Sequence, residues 1–186
     1  MYLTDIERKE LLEIARKAIR EKMHERELPV DSLKPHGNLA LQCGAFVTLR
    51  LNEQLRGCIG YVESEHPLPI TVADVAAKAA SEDPRFIPVS LDELENIIIE
   101  ISVLSQLVPL ENSQSIIIGE HGLYLEGEHN RGLLLPQVAV ENNWEKNTFF
   151  MQLGKKAGLP DFHPDYPGVK IFVFTADVFN DASINV

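Results

Sequence analysis

Gly44-Ala45-Phe46-Val47-Thr48-Leu49-Arg50-Leu51, then Asn52-Glu53, then Gln54-Leu55-Arg56-Gly57-Cys58-Ile59-Gly60-Tyr61-Val62: the reading of this stretch decides the fold. Its first limb is rich in β-branched and aromatic residues and reads as a strand. Asn52-Glu53 supplies a two-residue turn, and the second limb returns as the partner strand. In that register Leu51 lies opposite Gln54, Leu49 opposite Arg56 and Val47 opposite Cys58. Alternation then puts Arg56 and Cys58 on one face, roughly 6–7 Å apart at their Cα atoms. A guanidinium at that range favours the thiolate over the thiol. Gly57 and Gly60 allow a bulge, or let another backbone or a ligand come close. A bulge at Gly57 would break the shared face. Cys58 therefore has two readings, a reactive thiol or a small hydrophobe facing Val47 and Ala45.

Downstream, Glu63 to Pro69 reads as a loop and Thr71 begins an alanine-rich helix through Ser81. Glu82 and Asp83 fall at its C-terminal end, where the helix dipole disfavours anions. Two carboxylates there call for a cation, either the adjacent Arg85 in a simple turn or Arg56 across space. Ser90 with Glu93 has the form of a capping box. Asn96 to Leu104 reads as a strand: Ile97, Ile99, Ile101 and Val103 make one dry face, and the other is mixed. Glu100 sits mid-strand among isoleucines. It is expected either to pair with Arg56 or Arg85, since an unpaired buried carboxylate is costly, or to reach solvent on an open sheet face.

Upstream, Thr4 and Glu7 form a capping box for an amphipathic helix over residues 5–25. A linker over 26–42, broken by Pro29, Pro35 and Gly37, leads to the hairpin. A second hairpin is predicted from His121-Gly122-Leu123-Tyr124-Leu125-Glu126 and Arg131-Gly132-Leu133-Leu134-Leu135. Helices follow from Gln137 to Asn143 and from Asn147 to Ala157. Arg56-Gly57 and Arg131-Gly132 recur at matching places in two hairpin–helix units, a hint of duplication. Phe162 to Gly168 is a loop, either a cover for a pocket or a packed connector. Val169 to Phe174 is a final strand, with a polar tail from Asn180 expected to fray.

The chain of 186 residues with a net charge of −11 is sized for one domain, 1–186, with helix 5–25 and linker 26–42 as candidates for a small subdomain. The acidity argues against broad phosphate-backbone binding. No apolar run approaches the ~20 residues of a membrane helix, and the acidic start is unlike a signal peptide, so a cytoplasmic location is expected. The two cysteines, Cys43 and Cys58, fall about 13 Å apart in this register, too far for a bridge. No phosphate loop, Cys-x-x-Cys, His-Glu-x-x-His, Gly-x-Ser-x-Gly or dinucleotide signature is present. The six histidines are scattered, so neither a metal nor a cofactor is expected.

Gly44–Leu49 followed by Leu55–Gly60, with its Leu-Arg-Gly-Cys-Ile-Gly core, resembles the signature of the AMMECR domain family. Its bacterial and archaeal members are also called protein A of the AmmeMemoRadiSam system. Further stretches carry the resemblance: Asp83-Pro84-Arg85-Phe86, Ile99-Glu100-Ile101-Ser102-Val103-Leu104, and Gly132-Leu133-Leu134-Leu135-Pro136-Gln137-Val138-Ala139. The resemblance implies an α/β fold with an internal duplication and no established reaction. It also implies company with a Memo-type, dioxygenase-like protein and a radical SAM protein, hence a modification pathway. The expected fold is α/β (α+β), with a mixed, mainly antiparallel sheet built from two duplicated hairpin–helix units and flanking helices. As an enzyme, the chain would use Cys58 as nucleophile or redox thiol, with Glu100 or Asp83 orienting arginines or moving a proton. Arg56 and Arg85 would hold an anionic group, and Gly57, Gly60 and Gln137 complete the candidate substrate-binding set. As a binding module, the chain would keep Arg56, Asp83, Arg85 and Glu100 as a structural ion network.

Overall fold

The computed structural model describes residues 3–183. In chain order the elements are α1 (Asp5–Met23), β1 (Ala45–Leu51), β2 (Gln54–Tyr61), α2 (Leu68–Ser81), α3 (Leu91–Leu94), β3 (Ile97–Leu104) and β4 (Val108–Pro109), then β5 (Gly122–Gly127), β6 (Arg131–Leu134), α4 (Pro136–Glu141), α5 (Lys146–Lys156), β7 (Val169–Phe174) and β8 (Ala176–Asn180). They form two compact units, Met1–Leu104 with Asp177–Val186, and Ser105–Ala176. Among the described residues no helix is long and apolar enough to cross a membrane.

The first unit is a four-stranded sheet ordered β2-β1-β3-β8. Helices α1 and α2 share one core with it: Leu11, Leu12 and Ile19, then Val72, Val75 and Ala76, meet Val47, Leu49, Ile99 and Ile101. The capping box at Thr4 and Glu7 starts α1 as expected. Glu7 does more than cap. Its carboxylate also accepts from Asn38 N at 2.8 Å and Asn38 Nδ2 at 3.1 Å, latching the linker to the helix. The Thr4 backbone amide, then the Asn38 donors, hold this buried acid down to about 2. Helix α2 starts at Leu68, three residues before the expected Thr71. Pro69 sits in its first turn, where a missing amide hydrogen goes unused.

The second unit is a sheet ordered β4-β7-β5-β6, with α4 and α5. Leu123, Leu125 and Leu134 pack with Phe149, Phe150 and Leu153. Phe162 joins this core at 5 % exposure, so its loop is a packed connector. The strand pairs β1–β2, β1–β3, β4–β7, β5–β6 and β5–β7 are all antiparallel. The single sheet expected from sequence is thus two. Strand β8, unforeseen, lies beside β3. The described start of the tail is tied down rather than frayed: Ile99 N donates to Asp181 at 3.2 Å and Arg16 pairs with the same carboxylate. The remainder of the tail, 184–186, lies outside the described residues.

The duplication is visible residue by residue. Leu49 pairs with Gly57 and Ile99 in the first unit; Leu125 pairs with Gly132 and Ile171 in the second. Each glycine lets helix backbone close onto the sheet. A Cβ on Gly57 would lie 2.2 Å from the Ala79 carbonyl oxygen of α2, and one on Gly132 would lie 3.1 Å from the Leu153 carbonyl oxygen of α5.

Candidate functional site

The two-residue turn forms as expected, with Asn52 and Glu53 at φ 51° and 66°, the left-handed geometry that suits a twisted hairpin. Leu51 meets Gln54 and Arg50 meets Leu55, but then the register slips: Leu49 meets Gly57 and Thr48 meets Cys58. Arg56 is the extra residue of a bulge. This overturns the expected pairs Leu49–Arg56 and Val47–Cys58, and with them the partnership of Arg56 with Cys58. Arg56 turns instead to Glu93, donating from Nε at 2.8 Å and Nη2 at 3.1 Å. It also donates to the carbonyl oxygens of Ile87 and Pro88 at 2.8 and 3.2 Å. Glu93 also closes the capping box with Ser90. Arg56, then the Ser90 amide, lower its carboxyl to about 2. Arg56 is therefore a clamp that ties loop 82–90 to β2.

Strand β2 is an edge strand, and edges need protection. Asp83 and Arg85 provide it at Cys58. The Cys58 amide donates to Asp83 Oδ2 at 2.8 Å, and Arg85 Nη2 donates to the Cys58 carbonyl at 3.4 Å. Asp83 in turn accepts from Arg85 Nε at 2.9 Å and Nη2 at 2.7 Å. The acid and cation together satisfy the backbone groups that a further strand would have paired. Asp83 is 4 % exposed. Arg85 foremost, then the Cys58 and Arg85 amides, hold its carboxyl at about 2. An acid so committed stays ionised at neutral pH and orients Arg85; it does not carry a proton.

Because both backbone groups of Cys58 point away from β1, Cys58 and Thr48 form a non-hydrogen-bonded pair, in which side chains stand closest. Thr48 Oγ1 accordingly donates to Cys58 Sγ at 3.3 Å. Thr48 also lies opposite Glu100 on β3. Cys58, Thr48 and Glu100 thus form one row across three strands, on the face opposite to Leu49 and Gly57. Thr48 was not singled out from sequence, because only the slipped register puts it beside the thiol. The equivalent row of the second unit is Leu133, Tyr124 and Phe172, with the two rings 6.0 Å apart. The positions equivalent to Cys58 and Glu100 hold Leu133 and Phe172, so the fold itself does not require a thiol and a carboxylate there.

Gly57 faces α2, and the space beside it is filled by backbone. Gly60 faces Phe46, whose ring lies 2.3 Å from where a Cβ would be. Gln137 belongs to α4 of the second unit. Both cysteines are free, and burial pushes the Cys43 thiol up to about 11. Among the described residues no three His, Cys, Asp or Glu side chains converge to hold a metal ion.

The AMMECR1 family model matches residues 12–179. A protein of Aeropyrum pernix is 39% identical over 189 residues, covering 96% of this chain and 80% of that protein. One of Pyrococcus furiosus is 39% identical, covering 92% and 86%. The crystal structure of an uncharacterized protein from Pyrococcus horikoshii superposes with a TM-score of 0.80 at 35% identity, over 91% of this chain and 89% of that one. With the match running from α1 through both hairpins into β8, this chain belongs to the AMMECR1 family.

Proposed function

We propose that the chain is an enzyme, or the catalytic part of a modification system, working through Cys58. The observation that carries the reading is the contrast between equivalent rows, Cys58–Thr48–Glu100 in one unit and Leu133–Tyr124–Phe172 in the other. Cys58 is the nucleophile or redox thiol, and the Thr48 hydroxyl donates to its sulfur and orients it. Arg85, held by Asp83 and 54% exposed along its side chain, takes the anionic group of the substrate. Glu100, next in the row, is the proton acceptor. The same reading keeps the family's implied company, a Memo-type dioxygenase-like protein and a radical SAM protein, and a cytoplasmic setting in which both thiols stay reduced.

Iodoacetamide labelling of the native protein across pH tests it. Cys43 is the internal reference, since burial pushes its thiol up to about 11 and keeps it protonated at pH 7. Cys58 is expected to label first and to do so at pH 7. No native labelling, or a labelling midpoint at or above ~8.5, overturns the reading.

The internal commitment of Arg56 to Glu93 and of Asp83 to Arg85 favours a second reading, a non-catalytic binding module braced by ion pairs. A Cys58→Ser variant that loses stability yet keeps its partner would decide for that one.

A further inference from the structure

A cavity of about 600 Å³ in the first unit plays no part in the site above. The C-terminal half of α1, the segment after it and α2 line it. It exists because the two helices meet there through alanines: Ala18 and Ala73 are buried together against Ile14, and short side chains leave a hollow. Leu28, Val30 and Ile70 give it apolar walls.

Its polar lining alternates in sign. Lys22 donates to Glu82 at 3.1 Å. Lys78 donates to Asp74 Oδ2 at 2.9 Å and to Tyr61 Oη at 2.6 Å, and Tyr61 donates to the same Asp74 oxygen at 2.6 Å, closing a three-membered ring. Arg26 and Glu27 add one charge of each sign. The two lysines are held in place without being used up: Lys78 spends two of its three N–H donors and Lys22 one, whereas Arg26 is committed to Glu21 at 2.6 and 3.3 Å. In a chain of net charge −11 this lining is balanced, three cations against three acids. A ligand of one sign would meet attraction and repulsion in equal number. A head group carrying both signs satisfies both.

We infer that this cavity binds a small zwitterion with an apolar body, the class of apolar amino acids and their short peptides. Its carboxylate reaches Lys78 and Lys22, its ammonium reaches Asp74 and Glu82, and its side chains lie on the alanine floor. The volume exceeds a single amino acid and suits two or three residues.

Leucyl-leucine, titrated while backbone amide shifts are followed, is the probe. Saturable shifts over residues 70–78 are expected below about 10 mM. N-acetyl-leucyl-leucine and leucyl-leucinamide each lack one charge and are expected to bind at least roughly fivefold more weakly. Asp74→Asn weakens the dipeptide by a similar factor. Ala77→Leu, which fills the cavity without touching a charge, abolishes binding at an unchanged melting temperature. Cys58→Ser leaves the titration unchanged, so the outcome is separate from that of the thiol site. Absence of saturable shifts, equal binding of the blocked dipeptides, or full binding by Ala77→Leu overturns the inference.

Discussion

Asp83 accepts hydrogen bonds from the amides of Cys58 and Arg85 and from two guanidinium nitrogens. Asp83→Asn keeps the shape and removes the charge that holds Arg85. It is expected to lower stability by about 1–3 kcal/mol, read as a lower urea midpoint at pH 7. An unchanged midpoint would mean that Asp83 is not structural and would return it to the candidates for proton transfer. The Asp83–Arg85 turn was legible in sequence because its members are two residues apart. The clamp between Arg56 and Glu93 was not. Its members are 37 positions apart, and Glu93 already had a sufficient local role in a capping box.

At the scale of elements, the hairpin was legible and its bulge was not. Propensity and a two-residue turn announce two strands, but the bulge depends on what lies beyond them. Arg56 leaves the ladder because Glu93 and two loop carbonyls receive it, and Gly57 faces inward because the backbone of α2 needs that space. The glycines separate these causes. Gly57→Ala sets a Cβ against a backbone oxygen at 2.2 Å, which only movement of the helix relieves; a loss of ~2–4 kcal/mol is expected. Gly60→Ala meets the Phe46 ring at 2.3 Å and the Ala45 carbonyl oxygen at 2.6 Å, so only the first of its two clashes can be trimmed away. Thermal denaturation should therefore find Gly60→Ala partly rescued by Phe46→Ala, which removes the ring and its Cγ, and no rescue of Gly57→Ala by the same change. Equal rescue of both would contradict the inward placement of Gly57.

At the scale of the whole molecule, three carboxyls among the described residues are held at about 2: Glu7 by the amides of Thr4 and Asn38, Asp83 by Arg85, and Glu93 by Arg56. Each folded value lies below the unfolded one. Their stabilisation is therefore complete above about pH 5 and is lost as pH falls toward 2. Urea unfolding at a series of pH values should show stability rising between pH 2 and 5, by on the order of 3–6 kcal/mol, and changing little from these groups above it. A profile already flat at pH 2.5 would contradict the three sets of bonds. The sequence by itself determined β1, β2, β3, β5, β6 and β7, the capping boxes of α1 and α3, the two hairpins and their duplication, because periodicity, capping and turn chemistry act over a few neighbouring residues. Only the tertiary structure decided that the sheet is two sheets, that Arg56 serves Glu93, and that Cys58 stands beside Thr48. A one-residue slip turns every later side chain of a strand to its other face, and that slip is set by contacts with residues distant in the chain.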